Sequence, residues 1–353
     1  MGNPIVGRSM GLAAILAALA GCATAAPPPV TVEVPALRET TAVASARDAA
    51  DDPAIWRNPA DPAASLIVAT DKQAGLYVYG LDGRTRSQLA AGRVNNVDLR
   101  DGADIAGTPG VLVAASDRTD LAHGKVALFR LDTATAGLTA LGALPVAEGE
   151  AYGFCLWRRA ADRAVFAFVV MKDGRVVQAR LDLSGAAPKA EVVRQVKLAT
   201  QAEGCAADDR TGQLYVAEED VGLWRIDADP AGSPVPRVFA RVDGATLVAD
   251  AEGVAIAPQG ADGGYLVASS QGDSAYAVYR LPDARYMGRF RIVAGPTGVD
   301  GTSETDGIEI ALGAFGPDFP EGVLIAQDGD NAPEDQNFKL ISWAAVRAAL
   351  KLP

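Results

Sequence analysis

The chain has 353 residues, with 44 Asp and Glu against 32 Lys and Arg and a single His, for a formal net charge of −12. That sign excludes a general nucleic-acid binder, which needs a basic face for the phosphates. Hydrophobic residues at 49% and charged residues at 22% exclude disorder throughout, and the length suits two average domains or one large repeat fold.

The lone His123 excludes mechanisms that need two histidines and an HExxH zinc site, and Cys22, Cys155 and Cys205 are too few for a four-cysteine zinc site. No RHG motif is present, and no Cys is followed by Arg after the five intervening residues of a phosphate-cradling loop, which excludes the histidine acid and cysteine phosphatase routes.

In chain order, residues 1–21 combine Arg8, the apolar run GLAAILAALAG and small residues, the pattern of an export signal too short to span a bilayer comfortably. Leu19-Ala20-Gly21-Cys22 resembles a bacterial lipobox with Cys22 as the lipidated first mature residue; ordinary cleavage near Ala23 to Ala26 is the alternative. Either way the protein is expected to be exported, touching a membrane only through that lipid. Residues 22–45, including AAPPPVTVEVP, read as a Pro-rich tether, and 46–353 as the folded catalytic domain. In an oxidising compartment Cys155 and Cys205 could pair or stay separate buried thiols, because the distance rule needs coordinates.

A short motif, an acidic or amide residue beside an apolar alternation, then recurs six times: DDPAIW from Asp51, NNVDLR from Asn95, AYGFCLW from Ala151, AEGCAAD from Ala202, AEGVAIA from Ala251 and TDGIEIA from Thr305. Taking Asp52, Asn96, Tyr152, Glu203, Glu252 and Asp306 as marks, the spacings are 44, 56, 51, 49 and 54. Each copy leads into an apolar strand, a Gly/Asp turn and another strand, with the alternation of hairpins. A repeat of roughly 50 residues built this way is a β-propeller blade, so the expected fold is all-β, a six-bladed β-propeller with a central acidic channel. The one helical stretch expected is 344–350.

A polar residue at one place in every repeat lands on a ring around the channel. Singly, such acids terminate strands or make turns; in register, Asp52, Glu203, Asp250, Glu252 and Asp306 would converge with Tyr152 and with Asn95 or Asn96. Crowded carboxylates need protons or cations, and an all-oxygen set selects hard ions, Ca²⁺ above all. Further acids stand at Glu218-Glu219-Asp220, Asp300 and Asp328-Gly329-Asp330-Asn331, the last reading equally as a calcium loop or a solvated turn. Lys72, Arg118 and Lys172 occupy equivalent turns in the first three repeats; each alone could be solvated, but together beside an acidic channel they suggest a phosphate clamp.

These motifs, with GLYVYGLDG at Gly75, EGCAADDRTGQLYVAEED at Glu203, LVASSQGDSAYAVY at Leu266, DGTSETDGIEI at Asp300 and IAQDGDN at Ile325, resemble the β-propeller (alkaline) phytases over residues 39–345. The resemblance implies a monomeric phosphomonoesterase that uses several calcium ions to release phosphate from myo-inositol hexakisphosphate, without a covalent enzyme intermediate. Carried over by motif, Tyr152, Glu203, Glu252 and Asp306 would be catalytic. Calcium would be held at the mouth by Tyr152, Glu203, Glu219, Asp250, Glu252 and Asp306, joined by Glu39. Structural calcium would use Asp52 with the carbonyls of Pro53 and Val97, and Asp300, Asp328, Asp330 and Asn331. Phosphate would meet Lys72, Asn95, Arg118, Lys172 and Asp173. The chain departs from the family pattern in Cys155 and Cys205, and in Asp330 where Glu is frequent. Two other functions would keep the acids but leave the three cations without a joint role. One is a non-catalytic calcium-stabilised scaffold, the other a calcium-dependent lactonase or esterase.

Overall fold

The structure, a computed structural model, describes residues 1–2 and 30–353; the expected export signal, Cys22 and the first part of the tether lie outside the described residues. Each repeat copy forms the inner strand of one of six antiparallel units: Ala50–Trp56, Val94–Ile105, Ala151–Arg158, Ala202–Asp208, Ala251–Gln259 and Ile308–Leu312. The inner strands pack side by side in that order and the sixth returns to the first, closing a six-bladed propeller around a channel.

The glycine after the marked residue explains how closely the ring is drawn. A Cβ on Gly153, Gly204, Gly253 or Gly307 would run into the backbone of the next inner strand, at Glu203, Glu252, Asp306 and Asp51 respectively. The Gly253 N–H donates to the Asp306 carbonyl (2.7 Å) and the Gly307 N–H to that of Asp51 (2.9 Å), so these contacts link neighbouring blades through main chain. The first five inner strands also carry a register shift at this place, for example between Ala50 and Pro53 and between Val94 and Val97. Such a bulge re-aims the side chains beside it.

The expected hairpin alternation does not hold in the middle of the blades. The second strands Leu66–Asp71, Val165–Met171 and Gly322–Asp328 are buried at every residue, because each blade is covered on both faces. Six apolar clusters fill the spaces between consecutive blades, one of them around Tyr215, Phe239 and Tyr279 in edge-to-face contact. Alternation survives at the rim, where Thr85–Ala90 is half-buried and exposed in turn.

The tether assignment of 22–45 needs correction. Thr31–Pro35 pairs in parallel with Arg285–Val293 as a fifth strand of blade five, and Arg38–Glu39 pairs with Asn337–Ser342 as the outer strand of blade six. Val34 is buried there, and the segment covers two edges that would otherwise present unpaired backbone. At the other end, Trp343–Leu350 forms the expected helix, one residue longer than predicted, with Trp343 and Val346 buried against blades five and six. Cys155 and Cys205 are joined by a disulfide, Cα atoms 5.7 Å apart, that ties the inner strands of blades three and four.

Candidate active site

The six inner strands begin at the same mouth of the channel, and the residue just before each glycine or bulge faces it. In blades three to six these are Tyr152, Glu203, Glu252 and Asp306, as predicted. In the first two blades the ring is completed by Asp51 and Asn95. Asn95 Nδ2 donates to Asp51 Oδ2 (3.1 Å) and to Glu203 Oε1 (2.5 Å), which bridges blades one, two and four. Asp51, fully buried, is the ring residue that the repeat spacing passed over in favour of its neighbour.

Asp52 does not converge with them. Its carboxylate accepts the Val97 N–H (3.0 Å) and faces the lower part of the channel, a cavity of about 340 Å³ shared with Pro53, Val97, Asp98, Arg100 and Glu309. The structure therefore separates Asp52 from the upper ring, while it does gather Asp52, Pro53 and Val97, the three grouped by resemblance. Burial and the neighbouring acids raise Asp52 well above an ordinary carboxylate and Glu309 to about 8.

At the upper mouth, carboxylate oxygens of Glu203, Glu219 and Glu252 lie within 4.8 Å of one another, and all three residues are buried. One oxygen of Glu219 and one of Glu252 are buried with no hydrogen-bond partner. Burial and mutual repulsion push Glu203 and Glu252 well above the usual carboxylate range, raise Glu219, and hold Asp306 at about 7 despite the nearby Lys72. Orphaned oxygens on crowded acids are the signature of a place built for a hard cation, so the donor set fits calcium. Asp250 and Asp306 line the same cavity, about 560 Å³, with Asp48, Gln201 and Gln271, which sequence reasoning missed. Gln271 Nε2 donates to Asp306 Oδ1 (2.6 Å) and fixes its orientation; a neutral amide in a turn, it carries no charge of its own that would have marked it.

The three cations rim this mouth. Lys72 Nζ lies 2.6 Å from Asp48, 2.9 Å from Asp51 and 2.9 Å from Asp306. Arg118 Nη1 donates to Asn95 Oδ1 (2.5 Å), and Lys172 lies over the Tyr152 ring. Asp173 is turned away, its carboxylate paired with Arg175 (2.7 Å) and half exposed, so it does not join the clamp.

The remaining predicted ligands form a separate group on blade six. Lys339, fully buried, places its ammonium on Glu39 (2.6 Å), Asn331 Oδ1 (2.8 Å), Asp328 (3.2 Å) and Asp300. Glu39 is thus engaged by Lys339, on the strand that closes blade six, and is not among the residues lining the mouth cavity with the ring ligands it was expected to join. Asp330 is exposed and outside this contact set. The centre of the group is filled by an ammonium that no motif announced, and a calcium ion there would have to share these oxygens with Lys339 or displace it.

The fold and site define a class of protein: a six-bladed propeller that gathers a buried carboxylate cluster, able to hold a metal ion, and three basic side chains at one mouth. The family model described as Phytase matches residues 9–352, and the chain belongs to that family. It is 39% identical over 326 residues to the "3-phytase" of Bacillus subtilis (strain 168), spanning 89% of this chain and 84% of that protein. A chain in the crystal structure of the mitotic checkpoint complex superposes with a TM-score of 0.51 at 14% identity, covering 95% of this chain and 87% of that one, a likeness of fold alone.

Proposed function

We propose that this protein is a calcium-dependent phytase, releasing inorganic phosphate from myo-inositol hexakisphosphate at the upper mouth. The observation that carries the reading is the meeting of the Glu203, Glu219 and Glu252 oxygens, two of them orphaned, with Lys72, Arg118 and Lys172 on one rim. An acidic channel repels a polyanion unless its local sign is reversed. Tyr152, Glu203, Glu219, Asp250, Glu252 and Asp306 would hold calcium, which when bound would supply the positive charge that reverses that sign and the Lewis acidity that activates water.

The chain's own residues supply the rest. Lys72 and Arg118 offer fixed donors to phosphate oxygens and offset charge that grows on the transferring group. Asn95, bonded to both Asp51 and Glu203, keeps the ring acids in register while its carbonyl orients Arg118. Gln271 holds Asp306 toward the cavity. Asp52 with Pro53 and Val97 would hold a structural ion lower in the channel. In the same reading the chain is exported, anchored through a lipid on Cys22, and works as a monomer; mass spectrometry of the mature N-terminus tests the anchor.

The test of function is phosphate release from phytate by residues 23–353, with Ca²⁺ and then with excess chelator. Release that requires calcium supports the reading. A folded, calcium-bound protein that releases none would sink it.

A further inference from the structure

We infer that the aromatic ring of Tyr152 is the platform on which two of the phosphate-side cations are assembled, a role separate from that of its hydroxyl. The inference rests on the reading of the upper mouth given above. Lys172 Nζ lies 4.8 Å from the ring centroid and Arg118 Cζ 5.6 Å from it, so one ring serves cations delivered by two different blades. Both distances fall within the range over which a ring quadrupole attracts a cation, about 6 Å.

The cations have few other holds. Among the described residues Lys172 makes no ion pair, and the buried Arg118 Nε has no hydrogen-bond partner, with Glu150 at 3.4 Å as its nearest charge. Arg118 is otherwise tied only through Nη1 to Asn95. Lys72 differs: three carboxylates fix it and it does not touch the ring. The platform itself is firm. The Tyr152 carbonyl accepts from Ser116 Oγ (2.5 Å), Gly153 is pressed on the next blade, and Glu203 and Glu252 lie close enough to the hydroxyl to disfavour its ionisation. Tyr152 thus spans the site, its hydroxyl on the acid side and its ring under the cations. A ring that holds two long, flexible side chains in place removes ordering that substrate would otherwise have to impose, which appears as affinity for phosphate. Tyr152 is in this respect a positioning residue acting through Arg118 and Lys172.

Phenylalanine, leucine and a fluorinated series separate the two roles. With Ca²⁺ present, Tyr152→Phe should keep the KM for phytate and the Ki for inorganic phosphate within about twofold while kcat or calcium affinity falls. Tyr152→Leu should raise KM and Ki by about tenfold, the equivalent of one to two such contacts. Phenylalanine carrying one, two and three fluorines at position 152 keeps the ring's shape while weakening its quadrupole, so Ki should rise stepwise. This arm guards against a leucine variant that fails to fold. A flat Ki across the series, or a Phe variant as impaired in Ki as the Leu variant, would overturn the inference. Binding of inorganic phosphate to the calcium-loaded protein, followed by calorimetry, gives the same comparison without turnover. A wild type that binds phosphate yet leaves phytate intact would therefore count against the proposed function and not against the platform.

Discussion

Lys72 is a half-buried ammonium among three carboxylates. Burial opposes its charge, and Asp51, Asp306 and Asp48 more than compensate, holding it above the ordinary lysine range. It is therefore already paired when phosphate arrives, and a phosphate oxygen must take it over from these acids. In the proposed reading that exchange would become favourable once calcium had taken up the same carboxylates, so that clamp and metal site would act together. Replacing Lys72 and Arg118 by Ala together should leave the propeller folded, since both stand at the mouth and not in the inter-blade clusters. Phosphate release from phytate should fall by at least about 100-fold, in line with loss of preorganised donors at a phosphoryl group. Circular dichroism with the phosphate assay checks this, and substantial turnover by a folded double variant would remove both residues from the clamp. Lys339 offers a contrast: equally acid-bound, but fully buried at the strand that closes blade six, where it faces no substrate cavity and holds Glu39 of the N-terminal segment to Asp328 and Asp300.

At the scale of elements, the disulfide joins inner strands just below Tyr152 and Glu203, closing a loop over a sequence separation of 50. In the chain-entropy model a loop of that size restricts the unfolded state by about 4 kcal/mol. Replacing Cys155 and Cys205 by Ala should lower the denaturant midpoint accordingly, read by urea titration of the metal-free protein; an unchanged midpoint would mean the ring is held without it. The repeats showed the blade count, the order of inner strands and four of the six ring residues because glycine after the ring residue is demanded wherever two inner strands nearly touch. Asp51 stayed hidden beside Asp52 because a bulge, which repeat spacing does not register, decides which of two adjacent acids faces the mouth. The closing strands at 31–35 and 38–39 were masked by neighbouring prolines and by partners more than 250 residues away. Lys339 was illegible for a related reason: NFKLIS reads as an apolar strand with one outward lysine, and only the fold brings Glu39, Asp300 and Asp328 around it.

Over the whole molecule the excess of acid is concentrated into a proton-dependent device. Glu203 and Glu252 are held well above the carboxylate range and Asp306 at about 7, so between about pH 4, where carboxylates of the unfolded chain titrate, and pH 7 the folded metal-free protein binds more protons than the unfolded one. Stability must then fall as pH rises through that window, the reverse of an ordinary paired carboxylate. Asp328, at about 6, and His123, raised by Asp120, act in the same direction. Asp283, lowered to about 2, acts in the opposite direction only at the bottom of the window, near pH 4, and is ionised in both states above about pH 5. In the proposed reading calcium would bind the ionised carboxylates, so its stabilisation should grow over the same range, and binding near pH 6 should release protons. Scanning calorimetry at pH 5, 6, 7 and 8 should show Tm falling with pH in chelator, and a gap between calcium and chelator that widens steadily. Because His123 and the surface acids contribute to both curves, the gap isolates the calcium-binding groups. Titration of calcium at pH 6 in two buffers of different ionisation enthalpy should yield about one proton or more per protein. A gap that stays constant from pH 5 to 8, with no proton released, would mean that the carboxylates at the mouth are ionised before the metal arrives and that something other than calcium balances their charge.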